Sequence, residues 1–200
     1  MPLPPLILAS ASPRRAELLK ELELQFRVVP SDALELQGDQ LTAGELAQVN
    51  AYRKAWRVAG QIPEALVIGA DTLVYLGLQL FGKPHDLSEA REMLLALQGQ
   101  THQVVTGVCL MHRQSQRQRV FADSTAVRFK PLDGQQIDRY LASMNPLDKA
   151  GGYAIQERGE LLVAEIAGSY SNVVGLPLER LRAELAKWIA DAPLSGAGCH

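Results

Sequence analysis

Residues 6–15 are Leu-Ile-Leu-Ala-Ser-Ala-Ser-Pro-Arg-Arg, an apolar run followed at once by a serine-rich turn and two arginines. The run predicts a short strand at residues 6–9. Ser12 suits the N-cap of a helix, and Pro13 suits its first position because proline lacks an N–H that a helix start leaves unpaired anyway. The segment therefore predicts a strand, a turn and a helix N-terminus in immediate succession.

The first turn of that helix has an unusual charge. Helix N-termini carry unpaired N–H groups and a partial positive charge, which favour acidic side chains, yet Arg14 and Arg15 stand there. A bound phosphate would resolve the conflict, because backbone N–H groups, both guanidinium groups and the hydroxyls of Ser10 and Ser12 could converge on it. The alternative is that both arginines point into solvent or pair with carboxylates elsewhere. The segment lacks the Walker phosphate-loop pattern.

The rest of the chain mixes helical and strand patterns. Helices are predicted at residues 42–59 and 86–97, each after a capping-box pattern, and at residues 137–143 and 177–190. Strands are predicted at residues 26–29, 66–70, 104–111, 119–129 and 161–166, with a hairpin at residues 73–81. The predicted class is α/β, with a mixed sheet flanked by helices. We expect one domain over residues 1–200, with two lobes around a central cleft as an open alternative and residues 192–200 as a mobile tail.

Composition narrows the possible partners. Apolar residues make up 47% of the chain and charged residues 21%, with a formal net charge of −2, which is ordinary for a soluble globular protein. No basic stripe predicts polymeric nucleic acid as a partner, so the few local basic residues fit a small anion better. No apolar run approaches the ~18 residues that span a bilayer, and the N-terminus lacks the positive region of a signal peptide.

The cysteines and histidines predict neither a disulfide framework nor a metal site. Cys109 lies in an apolar strand pattern and Cys199 in the glycine-rich tail. The histidines do not have metal-ligand spacing. The expected compartment is therefore the cytoplasm.

Three further charged residues have both a functional and an ordinary interpretation. Asp71 follows the apolar run at residues 66–70, so it is expected at the carboxyl end of a buried strand, where open α/β sheets bind ligands. A carboxylate there can hold Mg²⁺ or take a proton from water, although it could also form a turn. Lys54, in a helix, and Lys83, in the Gly-Lys-Pro loop, would each be ordinary surface lysines if taken alone.

A series of segments together resembles one family. They are LILASASPRR (6–15), KA (54–55), IGADT (68–72), GKP (82–84), HQVVTG (102–107), DKAGGYAIQ (148–156), GSY (168–170) and VGLP (174–177). In number, order and spacing they resemble the Maf family of nucleotide pyrophosphatases, which shares its fold with the inosine-triphosphate pyrophosphatases. The resemblance runs from Leu6 to about Leu181.

This resemblance implies hydrolysis of a nucleoside triphosphate to the monophosphate and pyrophosphate. Asp71 matches the family's proton acceptor, and a divalent metal, Mg²⁺ or Mn²⁺, is expected. The phosphate-side residues implied are Ser10, Arg14, Arg15, Lys54 and Lys83, beside the Ser12 hydroxyl considered above. A homodimer is also implied.

Three positions separate the branches of the family. The branch that favours dTTP and UTP carries Arg, Thr and Gln where this chain has Arg14, Thr72 and Gln156. The branch that favours 7-methyl-GTP carries Trp, Gln and Glu instead. The resemblance thus implies dTTP and UTP as substrates.

One position departs from the family pattern. An acidic residue is usual in the loop after the second strand, where ungapped alignment places Leu34, with Glu35 beside it. A shift by one residue would make Glu35, together with Asp71, a metal ligand; without it, metal binding would be weaker. Two alternatives stay open: the same reaction on modified or noncanonical nucleotides, and a regulator that binds nucleotides without cleaving them.

Overall fold

A computed structural model describes residues 3–36, 38 and 40–191. The strands are β1 (Leu6–Leu8), β2 (Phe26–Val28), β3 (Leu66–Leu76), β4 (Gln79–Phe81), β5 (Thr101–His112), β6 (Arg117–Phe129) and β7 (Val163–Ala167). The helices are α1 (Pro13–Lys20), α2 (Ala43–Ala59), α3 (Leu87–Leu97), α4 (Gly134–Leu141), α5 (Gly159–Leu162), α6 (Tyr170–Val174) and α7 (Leu178–Ala190), with a 3₁₀ turn at Ala150–Gly152.

The strands form one mixed sheet in the order β2-β1-β3-β5-β6-β7, with β4 also paired to β3. Strand β1 is parallel to β2 and β3, and every other pairing is antiparallel. This seven-stranded sheet with flanking helices confirms the predicted α/β class.

The sheet has an opening along one edge of β3. Strand β1 pairs with β3 at residues 66–68, and β4 pairs with β3 at residues 74–76, on the side of β3 opposite β5. Between these pairings, no strand of the described chain covers residues 69–73 on that side. The backbone of β3 there is therefore open to side chains from other elements, as where Ala70 O accepts from Arg15 Nη1 at 3.0 Å, while Ala70 and Asp71 are themselves buried.

Alternate residues of β3 face two different layers. Ile68 and Ala70 pack in a core with helices α1 and α7, whereas Val67 packs with α2. This alternation follows from the two-residue period of a strand. It places Asp71 on the α2 face and Thr72 on the opposite face.

Helix α2 lies unusually close to the sheet. A Cβ atom at Gly69 or Gly107 would overlap the backbone of α2 at Ala51 or Ala47, respectively. The helix begins with the predicted capping box, in which Glu45 N donates to Thr42 Oγ1 at 3.3 Å and Thr42 N donates to Glu45 Oε2 at 2.9 Å.

Several element boundaries differ from the sequence predictions. Asp71 does not end a strand, because β3 continues through it to Leu76. Leu161 and Leu162 belong to α5, so only the second part of the predicted strand at 161–166 forms. Helix α4 ends at Leu141 rather than at residue 143.

Two predicted helix starts also differ in detail. The side chain of Ser12 makes no capping bond within the described part of the chain, although Ser12 is the N-cap and Pro13 follows it. At α3, Asp86 accepts from Glu89 N at 2.8 Å, but Glu89 accepts from His85 N and not from Asp86, so the capping box is incomplete.

Two other predictions concern the ends of the chain and the membrane. The tail predicted to be mobile, residues 192–200, lies outside the described residues, as does Cys199. Among the helices described, none combines the length and the apolar character that crossing a bilayer requires.

Candidate active site

Asp71 lies in the opening along β3, and helix α2 supplies its partners. Asn50 and Lys54 are four residues apart, so they lie on the same face of α2. Lys54 Nζ donates to Asp71 Oδ1 at 2.6 Å, and Asn50 Nδ2 donates to Asp71 Oδ2 at 3.0 Å. The Asp71 side chain is buried, with 4% of the residue exposed. Both of its oxygens are thus held by α2.

Glu35, and not Leu34, is linked to this carboxylate, through Lys54. Glu35 Oε1 accepts from Lys54 Nζ at 2.6 Å and lies 3.9 Å from Lys83 Nζ. Leu34 is 81% exposed. Of the two candidates in this loop, Glu35 therefore faces the site and Leu34 faces solvent.

The charge state of Glu35 follows from its neighbours. Burial would raise the pKa of Glu35, but the positive charges of Lys54, Lys83 and Arg15 outweigh burial and lower that pKa below its usual value. Glu35 is therefore ionised at neutral pH, and Lys54 lies between two carboxylates.

Arg15 organises the opposite face of the opening. Its Nε donates to Gly175 O at 2.8 Å, its Nη1 to Ser10 Oγ at 3.2 Å and to Ala70 O at 3.0 Å, and its Nη2 to Thr72 Oγ1 at 2.9 Å. A guanidinium group has five N–H donors. Within the described chain, one N–H of Nη2 thus remains available to a ligand.

Arg14 belongs to a second network, which the sequence did not reveal. Arg14 Nη1 donates to Asp148 Oδ2 at 3.2 Å, and the buried Lys149 donates to Asp148 Oδ1 at 2.7 Å and lies 3.3 Å from Glu157. Burial would raise the pKa of Asp148, but its bonds to Lys149 and Arg14 outweigh burial and lower it. Asp148 and Lys149 stood in a recognised motif, yet the pairing of Asp148 with Arg14 joins residues far apart in the chain.

These groups line two adjoining hollows that share several walls. The first hollow contains Asp71, Thr72 and Gln156, and the second contains Ser10 and Lys54. All of the predicted site residues line one or both: Ser10, Ser12, Arg14, Arg15, Glu35, Lys54, Asp71, Thr72, Lys83 and Gln156. The structure therefore brings together residues from the whole length of the sequence.

The donor set fits a divalent cation that is shared with a phosphate ligand. Asp71 and Glu35 each place an oxygen 2.6 Å from Lys54 Nζ, so these two oxygens lie within twice that distance of each other. In the part of the chain that the structure describes, no group of three or more His, Cys, Asp or Glu could hold a metal. Mg²⁺ typically binds one or two carboxylates and completes its shell with substrate phosphates and water.

Comparison with known proteins shows which family this chain belongs to. Residues 5–188 match the family described as Maf-like protein. The chain belongs to the Maf family. The resemblance inferred from the sequence motifs is thus confirmed.

Curated relatives within the Maf family match almost end to end. A dTTP/UTP pyrophosphatase of Pelotomaculum thermopropionicum is 47% identical over 183 residues, which cover 92% of this chain and 96% of that protein. A dTTP/UTP pyrophosphatase of Syntrophus aciditrophicus is 44% identical over 191 residues, covering 96% and 93%. Among solved structures, a HAM1 protein from Coxiella burnetii shares the fold, with a TM-score of 0.51, 17% identity and coverage of 92% and 100%.

In this Maf chain the segment before Gln156 is held by two buried tyrosines. Tyr140 donates its hydroxyl to Ala154 O at 3.2 Å and accepts from Ala154 N at 3.0 Å. The Tyr153 hydroxyl lies 2.8 Å from His102 Nε2. These bonds fix the backbone that carries Gln156 along the wall of the hollow that also contains Asp71.

Proposed function

We propose that this protein hydrolyses dTTP and UTP to the nucleoside monophosphate and pyrophosphate. The observation that carries the proposal is Asp71, a buried carboxylate that faces a cleft lined by cations and shares Lys54 with Glu35. The names of the curated relatives support the same activity.

Asp71 acts as the proton acceptor in the proposed reaction. The oxygen of a water molecule forms a bond to the α-phosphorus, the proton of that water passes to Asp71, and the bond from the α-phosphorus to the bridging oxygen breaks. Pyrophosphate leaves with the bonding electrons. Lys54 Nζ donates to Asp71 Oδ1 in the free protein and so disfavours protonation of Asp71. In the proposed reaction the triphosphate draws Lys54 towards its phosphates, which makes Asp71 a better proton acceptor.

Positioning and charge stabilisation supply most of the rate in phosphoryl transfer. The residues proposed to bind the phosphates are Ser10, Ser12, Arg14, Arg15, Lys54 and Lys83. Arg14 and Lys83 lie on walls that both hollows share. They are therefore placed to contact both the α-phosphate and the departing pyrophosphate.

Asp71 and Glu35 are the residues proposed to hold Mg²⁺ or Mn²⁺. When bound, the ion would neutralise phosphate charge and orient the triphosphate. Lys54 occupies the place between the two carboxylates in the free protein, so the ammonium group and the cation compete for the same oxygens.

Arg14, Thr72 and Gln156 are the residues proposed to select pyrimidine nucleotides. The amide of Gln156 can offer a donor and an acceptor to the edge of a base. The Thr72 hydroxyl acts differently, because it accepts from Arg15 and lies 3.0 Å from Thr106 Oγ1, which itself donates to the backbone at Asn172. Thr72 therefore influences the nucleotide through Arg15.

Pyrophosphate release by the purified protein with Mg²⁺ tests this function. The panel is dTTP, UTP, CTP, GTP, 7-methyl-GTP and ITP, and Asp71→Asn is the matched variant. Pyrophosphate from dTTP and UTP, lost by orders of magnitude in Asp71→Asn while nucleotide binding persists, is the expected result.

Other outcomes would correct the proposal in defined ways. Release only from ITP or 7-methyl-GTP would keep the reaction and replace the substrate. Binding without cleavage by the wild-type protein, with Mg²⁺ or Mn²⁺, would favour a nucleotide-binding regulator. Full turnover by Asp71→Asn would remove Asp71 as the proton acceptor.

The proposed setting is the cytoplasm, where the substrates are small nucleotides and neither polymeric nucleic acid nor a membrane takes part. We further propose a homodimer, as the family resemblance implies. Sedimentation analysis of the purified protein would distinguish the dimer from a monomer.

A further inference from the structure

Asn50 is a buried amide that joins two parts of the candidate site. The residue is 2% exposed and lies on α2. Its Nδ2 donates to Asp71 Oδ2 at 3.0 Å and to Leu36 O at 3.1 Å, while its Oδ1 accepts from Leu36 N at 2.7 Å. One side chain thus contacts the carboxylate on β3 and both backbone groups of a residue in the preceding loop.

The orientation of this amide is fixed by its partners. Both partners of Nδ2 are oxygen atoms that accept, and the partner of Oδ1 is an N–H that donates. A reversed amide would set Oδ1 against two oxygens, which repel it. In this orientation Asp71 Oδ2 accepts a hydrogen bond from Asn50.

The contacts of α2 with the loop explain why Glu35 enters the site. Asn50 holds the backbone of Leu36, and Arg53 Nε donates to Leu34 O at 3.3 Å. Glu35 lies between these two anchors and bonds Lys54 at 2.6 Å. The side chain of Leu34 is left in solvent. Backbone bonds on either side therefore set which residue of this loop faces Asp71.

We propose that Asn50 is a positioning residue that places the carboxylates of Asp71 and Glu35 so that they share one cation. The inference rests on the proposed function, in which these two carboxylates hold the metal and Asp71 accepts the proton. Asn50 touches neither substrate nor metal. It acts through Asp71 Oδ2 and through the backbone of Leu36.

An apolar residue of similar volume would remove both effects together. In Asn50→Leu, the N–H and C=O of Leu36 lose their partners, so the loop is no longer held in register, and Asp71 Oδ2 loses its donor. Groups that orient metal ligands typically change metal affinity about 10- to 100-fold when they are removed. A change of that size is expected for Mn²⁺.

The test measures Mn²⁺ binding to the nucleotide-free protein by titration calorimetry, together with kcat and KM for dTTP. Asn50→Leu and the milder Asn50→Ser, which retains a hydroxyl and leaves room for water, guard against a variant that fails to fold. The expected result is an Mn²⁺ Kd raised about 10-fold or more and a lower kcat, with KM for dTTP changed by less than about threefold.

Asn172 provides a matched control. It is also fully buried, with an exposure of 0%, and its side chain donates to Val104 O and Thr125 Oγ1 without contacting either carboxylate. Asn172→Leu should lower thermal stability as Asn50→Leu does, but it should leave the Mn²⁺ Kd unchanged. Equal Mn²⁺ affinities in the Asn50 and Asn172 variants would overturn the proposal.

A double-mutant cycle identifies the route of the effect. If Asn50 acts through Glu35, Glu35→Gln should weaken Mn²⁺ binding in the wild-type background and have little further effect in Asn50→Leu. Additive effects would overturn the proposal. Inactive Asp71→Asn with fully active, folded Asn50→Leu would reject this inference alone. Active Asp71→Asn would remove Asp71 as the proton acceptor, whereas a wild-type protein that releases no pyrophosphate from any nucleotide would reject the proposed function itself.

Discussion

Gly107 lies directly opposite Asp71 in the antiparallel pairing of β3 and β5, and helix α2 packs onto that glycine. A Cβ there would overlap the carbonyl group of Ala47. The helix that carries Asn50 and Lys54 can therefore reach Asp71 only because its cross-strand neighbour has no side chain.

Gly107→Ala should push α2 away from the sheet. Overpacking of this kind costs about 1–3 kcal/mol of stability. The movement of α2 also displaces Lys54, and a misplacement of roughly 1 Å can cost about 100-fold in rate. We therefore expect pyrophosphate release to fall by more than about tenfold. Denaturant unfolding and pyrophosphate release measure the two effects. Gly44→Ala, in the same helix but with only the flexible Gln48 side chain 4.0 Å from its Cβ, should leave activity unchanged. Normal activity in Gly107→Ala would show that the close approach is not required.

Glu35→Gln should raise the Mg²⁺ concentration required for half-maximal activity by about tenfold or more. Loss of a residue that only orients a metal ligand already lowers metal affinity about 10- to 100-fold. The reason is that Glu35 shares Lys54 with Asp71, whereas Leu34 is exposed. Leu34→Glu in the Glu35→Gln background should not restore the wild-type requirement. Restoration would mean that the loop can shift its register and that residue 34 serves the metal.

Arg15→Lys should lower stability although it keeps the positive charge. A lysine donates from one atom and cannot span the four acceptors that Arg15 contacts. Gly175 O would lose its partner and Ala70 O would keep only the long contact with Lys54 Nζ at 3.5 Å, which costs about 1–3 kcal/mol. Arg14→Lys is the comparison, because its bond to Asp148 is at the surface and such pairs contribute about 0–1 kcal/mol. Equal losses of unfolding free energy would contradict the organising role of Arg15.

The elements set by local sequence were predictable. Proline at the start of α1, the capping box at Thr42 and Glu45, and the apolar runs of the sheet are signals that span only a few neighbouring residues. Five-residue helix α6, at Tyr170–Val174, was missed because a segment this short has no clear apolar period. A polar residue in a buried run resembles a strand end, which is why Asp71 was expected at the end of β3.

The contacts that build the site were less predictable, because they join distant residues. Asn50 is a helix residue with no motif of its own, and its role depends on Leu36 and Asp71, 14 and 21 positions away. The pairing of Arg14 with Asp148, 134 positions away, likewise requires the folded chain. The sequence alone does not decide whether Leu34 or Glu35 faces the site, because the bonds of Asn50 and Arg53 to the loop backbone decide it.

His102 lies in the packed core beneath the segment that carries Gln156. Its ring contacts Phe129 edge-on at 4.7 Å between centroids, and its Nε2 bonds the Tyr153 hydroxyl at 2.8 Å. Burial lowers the pKa of His102 to about 4. The imidazole is therefore neutral in the folded protein over most of the accessible pH range.

This buried imidazole should make stability depend on pH between about 6.5 and about 4. In the unfolded chain His102 binds a proton below about pH 6.5, while the folded protein resists protonation until about pH 4. The unfolded state thus binds more protons in this window, and stability falls as the pH falls through it, by about 3 kcal/mol in total. His102→Gln keeps a polar partner for Tyr153 and removes the titration. The free energy of unfolding in urea at pH 7.5 gives the packing difference between the wild type and the variant. Between pH 7.5 and pH 5 the wild type should lose more of this free energy than the variant. The carboxylates are the same in both proteins, so their titration cancels in the comparison. Parallel stability profiles would show that His102 is protonated equally in both states.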